Sequence, residues 1–341
     1  MQSQRTSIAF FSSIGFILLL SLCNNNNIVT VAAAMSSYFT ASAAYNAAMK
    51  TTGTTPSIAL VTGGKSGIGK ALAEKIASFP FIDQVLAVSR SIQPADVADS
   101  PKLTALAADV STDEGRAKIV QAVERLCGPN KEKQLRFLVH SAGIIDPIKP
   151  VLDVQPEELR QAMLINCEAP LFLTTALYPF MEKQGEDGVA GRVLHVSSGA
   201  AHGAPPVGWS CYGISKAAFF QSFKVLEREF REKGSKVLVG SFKPGIIDTA
   251  MQGVIREAPK EAMPIVGNFQ TMKAKATRGD VSKARPPPKG ALDTTENVAF
   301  FAEYLLVGTT DDMFGNKDDP SEWDIRNEEL FPRWILPENL E

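Results

Sequence analysis

A tyrosine and a lysine stand four residues apart in the segment "WSCYGISK", residues 209–216. Positions i and i+4 of a helix share one face, so Tyr212 and Lys216 would lie side by side if this segment is helical. A phenol titrates near a pKa of about 10, too high for efficient proton transfer near neutral pH, and an adjacent ammonium group lowers that pKa. The pair therefore predicts a proton donor with the cation that tunes it, although the same spacing also occurs between ordinary helix-surface residues.

A glycine-rich turn, "TGGKSGIG", spans residues 62–69 between an apolar run and a segment with helical spacing. Gly63, Gly67 and Gly69 would allow a tight turn and a close approach of the backbone to a pyrophosphate, which then lies at a helix N-terminus. A glycine cluster alone is a weak signal. Its position between a strand and a helix predicts a nucleotide site.

Short apolar runs alternate with helical patterns along the rest of the chain. The runs are "SIALVTGG", "QVLAVSR", "KLTALAADV", "LRFLVHSAG", "GRVLHVSS" and "KVLVGSFKPG", and "EWDIR" is a candidate last edge strand. Long helices are predicted at Pro156–Met181 and Tyr212–Lys233. This alternation predicts an α/β fold, a single doubly wound Rossmann-type domain with a mainly parallel sheet and helices on both faces. Ligands of such sheets bind at the carboxyl ends of the strands, where the chemical motifs fall.

Composition narrows the classes of function. The chain has 341 residues, 45% hydrophobic and 21% charged, with a net charge of −2, which is typical of a globular enzyme and favours no nucleic-acid partner. Its four cysteines, Cys23, Cys127, Cys167 and Cys211, form no CxxC motif and no metal-ligand spacing with histidine. We therefore expect neither a metal site nor a disulfide framework.

The N-terminal residues 1–52 differ from the rest and are predicted to be a targeting or disordered segment that precedes a reductase domain at residues 53–341. The apolar run Ile8–Cys23 and the small-residue stretch "VAAAM" are typical of a secretory signal. A membrane anchor, or an extension upstream of a start at Met35 or Met49, are the alternatives. We expect the secretory pathway or an organelle, or the cytoplasm if the extension is removed or not translated, and a membrane contact only if the segment is retained.

Five motifs together resemble the short-chain dehydrogenase/reductase family. They are "TGGKSGIG", "HSAG" at 140–143, "VSS" at 196–198, "YGISK" at 212–216 and "KPGIIDT" at 243–249, in the family's order and at its spacings over roughly residues 57–325. Within the family, "GWSCYGISKAA" and "PGIIDTAMQ" are most similar to sepiapterin reductases and benzil reductases. The resemblance implies a Rossmann-type fold, a nicotinamide cofactor and a small-molecule carbonyl substrate.

The resemblance also implies four catalytic residues. Tyr212 would donate the proton to the carbonyl oxygen, and Lys216 would lower its pKa and bind the nicotinamide ribose. Ser198 would hydrogen-bond the substrate oxygen, with Ser197 as an alternative because the spacing to Tyr212 is one residue longer than expected. Asn166 in "LINCEAP" would support a water-linked proton path.

The expected cofactor is NADPH. NAD-preferring members place an acid after the second strand, whereas this strand ends "AVSR", with Arg90 and no acid, and Lys65 adds a second cation. Two cations favour a 2′-phosphate. The resemblance implies that the remaining cofactor contacts come from Thr62, Gly63, Ser66, Gly67, Ile68, Gly69, Asp109, Val110, Gly143, Pro244, Gly245, Ile247 and Thr249, together with Lys216.

The sequence says less about the residues that bind the substrate than about those that bind the cofactor. Besides Ser198 and Tyr212, we expect contacts from Trp209 and from Asp324, an acid near the chain end where sepiapterin reductases anchor their pterin. His202 lies in the loop that should border the pocket. The other two histidines, in "LVHSAG" and "VLHVSS", are expected to be packed inside the fold.

These observations predict an NADPH-dependent carbonyl reductase that acts on a ketone or diketone. A reductase or dehydrogenase of a lipid, steroid or acyl substrate is the alternative enzyme, and a catalytically silent NADP-binding sensor is the alternative of another class. The family commonly pairs through helices such as Pro156–Met181 and Tyr212–Lys233, so we expect a homo-oligomer.

Overall fold

A computed structural model describes residues 56–130, 132–182, 191–275, 283–315 and 322–335. The predicted targeting segment, residues 1–52, lies outside these described residues, as does part of the basic, proline-rich stretch 273–290. The domain described below is therefore the predicted reductase domain.

The core of the domain is a seven-stranded sheet with the order β3-β2-β1-β4-β5-β6-β7. All neighbouring strands pair in parallel, and the strand order reverses between β1 and β4, which confirms the predicted doubly wound fold. The strands are β1 (Ser57–Thr62), β2 (Ile82–Ser89), β3 (Leu103–Ala107), β4 (Gln134–His140), β5 (Arg192–Val196), β6 (Leu238–Lys243) and β7 (Trp323–Asp324).

Helices cover both faces of the sheet because its central strands are apolar on both sides. One face packs against α1 and α8, and the other packs against α2, α4 and α5. The α-helices of the described residues are α1 (Gly67–Ala77), α2 (Asp113–Cys127), α3 (Pro156–Met163), α4 (Ala169–Met181), α5 (Ser210–Glu232), α6 (Ala250–Glu257), α7 (Val266–Ala274), α8 (Thr295–Glu303), α9 (Asp311–Phe314) and α10 (Phe331–Trp334).

The predicted helix over Pro156–Met181 is interrupted in the structure. Helices α3 and α4 are joined by a π-helical turn at Leu164–Glu168, where the extra residue per turn shifts the side chains around the axis. Ala162 and Leu173, on either side of the turn, are both buried. Asn166 lies within this turn and is buried as well, so the segment keeps one buried side from α3 to α4.

Local signals in the sequence set the ends of several elements. Thr112 accepts a hydrogen bond from the Gly115 main-chain N–H at 3.0 Å, so it caps α2. Pro156 begins α3, and Glu158 completes a capping box with Gln155.

Within the described ranges from residue 56 to residue 335, no helix is long and apolar enough to cross a membrane. Over the same ranges, no group of three or more histidine, cysteine or acidic side chains is arranged to hold a metal ion.

Candidate active site

A cavity of about 670 Å³ opens at the carboxyl edge of the sheet, where the turns after β1, β2, β4, β5 and β6 meet. The predicted cofactor and catalytic residues come together here from distant parts of the sequence. Those that line the cavity are Gly63, Lys65, Ser66, Gly67, Ile68, Gly69, Arg90, Asp109, Val110, Gly143, Ser198, Trp209, Tyr212, Lys216, Pro244, Gly245, Ile247 and Thr249.

The glycine turn has the backbone geometry that a pyrophosphate cradle needs. Gly63 and Gly67 have φ angles of 73° and 57°, in the left-handed region that favours glycine. A Cβ atom on Gly69 would lie 2.3 Å from the carbonyl oxygen of Gly63, so only glycine fits there. The turn leads directly into the N-terminus of α1, so its free N–H groups point toward the cavity edge where a phosphate would bind.

Two predicted site residues lie behind the cavity wall rather than in it. Thr62 is buried, and its hydroxyl accepts hydrogen bonds from the main-chain N–H groups of Ser141 and Ala142, both at 3.2 Å. It therefore joins the glycine turn to the loop after β4. Asn166 is also buried, and its amide donates to Ser215 Oγ at 2.9 Å. Both residues position the backbone that lines the site.

The Tyr212 hydroxyl and the Ser198 side chain lie next to each other in the cavity lining. Tyr212 lies in the first turn of α5 and is only 7% exposed. Burial raises the pKa of its phenol, while a hydrogen bond with the Ser198 side chain lowers it, and burial has the larger effect. Ser197 Oγ, by contrast, is buried with no hydrogen-bond partner. The geometry favours Ser198 over Ser197 as the serine beside the tyrosine.

Lys216 lies one turn after Tyr212 on α5 and is 5% exposed. Its Nζ donates to the main-chain carbonyl of Val196 at 3.1 Å and lies 5.9 Å from the centre of the Tyr212 ring. Burial lowers the pKa of the ammonium group from 10.5 to about 8. A lysine with this pKa is mostly cationic at pH 7 and loses its charge as the pH rises above about 8.

Two cations line the cavity at the end of β2, where the sequence predicts the adenosine ribose. Arg90 is exposed, whereas Lys65 Nζ donates to the Ser91 carbonyl at 2.9 Å and lies 3.5 Å from a carboxylate oxygen of Asp96. The sequence showed no acid directly after this strand, but the chain folds Asp96 back toward Lys65. Arg90 is therefore the less neutralised of the two cations.

Asp109 contributes to the wall beside the predicted adenine position. Its carboxylate accepts hydrogen bonds from the main-chain N–H and the hydroxyl of Ser111, at 2.9 and 2.7 Å. These bonds fix the loop after β3 directly before α2. Val110 is buried next to it.

An apolar, aromatic wall faces Tyr212 across the cavity. The Trp209 ring packs edge-on to Tyr212 with ring centres 5.6 Å apart, and it contacts Phe269 of α7 at 5.7 Å. Met251 and Ile255 of α6 complete this wall. No sequence motif includes Phe269, so the sequence alone does not identify it as part of this wall.

Asp324 is placed away from the cavity lining. Its carboxylate lies 3.2 Å from Lys243 Nζ, and it accepts a hydrogen bond from the Arg326 main-chain N–H at 2.9 Å. Arg326, two residues later, does line the cavity. In this arrangement the Asp324 carboxylate forms an ion pair with Lys243. A contact between Asp324 and the substrate stays a prediction.

Two of the three histidines are buried in the sheet, as expected. His140 is hydrogen-bonded to Thr174 Oγ1 at 2.8 Å, and burial lowers its pKa to about 3. His195 is fully buried, and neither of its ring nitrogens has a hydrogen-bond partner. Burial holds the pKa of His195 well below 6.5, so both rings are neutral near neutral pH. His202 is half-exposed and bonds Glu322.

Comparison with known proteins identifies the family. A family model described as short chain dehydrogenase matches residues 57–260. The chain belongs to this family. Short-chain dehydrogenases are oxidoreductases that bind a nicotinamide cofactor and act on small molecules, which agrees with a glycine turn and a tyrosine–lysine pair in one cavity.

Individual relatives cover most of the domain. The chain is 28% identical over 224 residues to benzil reductase ((S)-benzoin forming) of Bacillus cereus, covering 63% of this chain and 85% of that protein. It is 29% identical over 214 residues to sepiapterin reductase of Mus musculus, covering 60% and 79%. The solved structure of YIR035C, a short chain dehydrogenase/reductase from Saccharomyces cerevisiae, aligns with a TM-score of 0.64 at 24% identity, covering 82% of this chain and 100% of that one, and supports the fold.

Proposed function

We propose that this short-chain dehydrogenase is an NADPH-dependent carbonyl reductase that converts a ketone or diketone to an alcohol. One observation carries the proposal: the Tyr212 hydroxyl, hydrogen-bonded to Ser198 and backed by the buried Lys216, opens into the same cavity as the glycine turn. A cofactor on the turn and a carbonyl at the tyrosine would therefore share one enclosed space.

The residues of the glycine turn fit a dinucleotide, because a side chain at Gly69 would clash with the Gly63 carbonyl and fill the cradle. Arg90 and Lys65 would hold the adenosine end, and Lys216 would hold the nicotinamide ribose. When bound, NADPH supplies the hydride that reduces the carbonyl carbon.

Tyr212 is suited to donate the accompanying proton. Burial raises the pKa of its phenol, so the hydroxyl is protonated at neutral pH and is available as an acid. After donation a phenolate remains, and the Lys216 cation in the next turn of α5 stabilises that charge. Ser198 would donate a hydrogen bond to the substrate oxygen as negative charge develops on it. Asn166 would support this step by holding the backbone beside the site, since its amide is bonded to Ile144 and Ser215.

The preference for NADPH rests on charge. Arg90 is exposed at the cavity edge, and no carboxylate among the described residues lies directly after β2. A 2′-phosphate carries extra negative charge that a planar guanidinium group binds with two parallel hydrogen bonds. The Lys65–Asp96 pair weakens the second cation, so Arg90 is the main determinant.

The substrate class is inferred from the wall and the relatives. Trp209, Phe269, Met251 and Ile255 offer flat and apolar surface next to Tyr212, which suits an aromatic or otherwise apolar carbonyl compound. Two relatives, named for the reduction of benzil and of sepiapterin, are the basis for choosing diketones as first substrates.

A substrate panel tests the proposal. Purified protein is mixed with NADPH and with benzil, sepiapterin or a steroid ketone, and cofactor oxidation is followed by absorbance. We expect turnover of at least one dicarbonyl and its loss in Tyr212→Phe, which keeps the ring but lacks the acid. Turnover of the steroid alone would support the alternative enzyme, and NADPH binding without any turnover would support a sensor.

We also infer that the protein forms a homo-oligomer. Phe172 of α4 and Val225 of α5 are large apolar residues that are 52% and 42% exposed. Both helices lie on one face of the sheet, where a second copy could cover them. Light scattering would show whether the purified chain is larger than a monomer.

A further inference from the structure

A row of polar residues crosses the centre of the sheet beneath the cavity. Thr62, His140, His195 and Ser241 are register partners on β1, β4, β5 and β6. Their strand neighbours at i−2, such as Leu138 and Val239, belong to the core on the α4 and α5 side, so the row faces these helices. Most of the other residues on these strands are apolar, so the row places four polar side chains next to one another in the sheet.

Glu322 closes the β6 end of this row. Its side chain is only 1% exposed. One carboxylate oxygen accepts a hydrogen bond from Ser241 Oγ at 2.6 Å, and the other lies 2.6 Å from His202 Nε2. A carboxyl group buried to this extent is costly unless its charge interacts with a nearby cation. The partly exposed His202 ring contacts this carboxylate from the solvent side.

Lys216 comes from α5, one of the helices that this row faces. Its Nζ is bonded to the carbonyl of Val196, the residue after His195, and lies 5.0 Å from the centre of the Phe219 ring. No carboxylate of the described residues lies within ion-pair distance of this ammonium group in the structure. It is therefore a buried cation whose direct partner is a neutral carbonyl oxygen.

We propose that Glu322 is the counter-charge that keeps Lys216 cationic in the buried site, acting across strands β5 and β6. Glu322 is thus a positioning residue for the reaction rather than a group that touches the substrate. The inference rests on the proposed function, because it assigns Lys216 the task of stabilising the tyrosine phenolate.

The connection follows the register of the sheet. Glu322 is bonded to Ser241 on β6, Ser241 is the partner of His195 on β5, and the next residue on β5 holds Lys216. Neighbouring strands are about 4.8 Å apart, so one strand spacing separates Ser241, which is bonded to Glu322, from the strand whose carbonyl holds Lys216. At an effective dielectric constant of about 20, an opposite charge about 10 Å away changes a pKa by about one unit.

The other titratable groups around Lys216 do not supply a negative charge. They are Tyr212 on the same helix, His195 on β5 and Cys167 on the π-turn. Burial raises the pKa of both Tyr212 and Cys167, so these groups stay protonated, and burial keeps His195 neutral. Burial has the largest effect on the pKa of Lys216 and lowers it; Glu322 raises it, and Cys167 raises it by less.

Nuclear magnetic resonance of lysine side chains tests this directly. The chain is labelled at the lysine side-chain nitrogen, and the Lys216 signal is assigned by its absence in Lys216→Arg. We expect Glu322→Gln to lower the titration midpoint of Lys216 by about one pH unit, because the amide keeps the shape but not the charge. Ser241→Ala, which removes the hydrogen bond and keeps the carboxylate, is expected to leave the midpoint in place.

An unchanged midpoint in Glu322→Gln would overturn the inference, as would an equal shift in Ser241→Ala. Glu322→Leu is a second neutral variant, of similar size and without a polar atom to be satisfied, in case the glutamine variant does not fold. The pH profile of kcat is recorded for the same proteins, and its alkaline limb should move with the midpoint. A shifted midpoint without any turnover in the unmodified enzyme would contradict the proposed function and leave the Glu322 inference standing.

Discussion

The side chain of Asn166 makes two hydrogen bonds to the main chain of a single residue, Ile144, in addition to its bond to Ser215. The Ile144 N–H donates to Asn166 Oδ1 at 2.8 Å, and Asn166 Nδ2 donates to the Ile144 carbonyl at 2.9 Å. Such a pairing holds the loop after β4 as a sheet partner would. Because this loop includes Gly143, which lines the cavity, Asn166 stabilises the site through the backbone.

Asn166→Ala should therefore reduce both stability and turnover. It leaves the main-chain groups of Ile144 without partners, so we expect the free energy of unfolding to fall by about 2–3 kcal/mol and kcat to fall by at least about tenfold. Urea unfolding and NADPH oxidation measure the two effects. Gln161→Ala, at an exposed position on α3, is the matched control and should change neither; equal effects in both variants would contradict the role.

Gly69→Ala should prevent cofactor binding. The added Cβ would meet the Gly63 carbonyl oxygen at 2.3 Å, so the turn must open and its N–H groups lose their alignment. We expect NADPH affinity, measured by fluorescence, to fall by roughly 100-fold or more, equivalent to about 3 kcal/mol. Gly267→Ala on α7 has no heavy atom within 4 Å of its Cβ and serves as the control, with affinity expected to be unchanged.

Arg90→Ala should separate the two nicotinamide cofactors. Loss of a charge-assisted contact to the 2′-phosphate is expected to weaken NADPH binding by roughly 10- to 100-fold and to leave NADH binding within about twofold. Arg125→Ala, an exposed arginine on α2 away from the cavity, controls for net charge. An equal loss of affinity for NADPH and NADH would show that Arg90 does not bind the 2′-phosphate.

The pH dependence of NADPH binding should report Lys216. Burial lowers its pKa to about 8, so the side chain is cationic below this pH and loses its charge above it. The dissociation constant of NADPH should accordingly be flat from pH 6 to about 7.5 and rise above about 8. In Lys216→Arg the side chain stays charged, and the alkaline rise should disappear. A rise of the same size in that variant would assign the titration to another group.

Acid should destabilise the fold through its buried histidines. The pKa of His140 is about 3 in the folded protein, against 6.5 for a histidine exposed to water in the unfolded chain. The unfolded chain therefore binds more protons between these values, and stability falls as pH falls through this window. At pH 5 the loss from His140 is about 2 kcal/mol. His140→Asn, which does not titrate, should lose less stability between pH 7.5 and pH 5 in urea unfolding than the unmodified protein. An identical loss would mean that His140 is not responsible.

The order of elements and the reacting residues could be predicted from the sequence. A strand that is apolar along its whole length must be buried on both faces. When such strands alternate with helices, the arrangement that buries them is a parallel sheet covered by helices on both sides. The glycine turn and the Tyr212–Lys216 spacing are local features, and local geometry follows from residue type. For these reasons the sheet and the helix that carries the pair match the predictions, and the glycine turn and the pair line one cavity.

Only the tertiary structure decided which side chains meet across the sheet. The π-turn that directs Asn166 to Ile144 is absent from the periodicity of the segment, which is compatible with an uninterrupted helix. The pairing of Asp324 with Lys243, the return of Asp96 to Lys65 and the position of Glu322 beneath the site depend on strand register and on loops of no fixed pattern. Sequence spacing specifies neighbours along one element, whereas the charge around a buried lysine is set by groups that are distant in the chain, and packing alone brings these together.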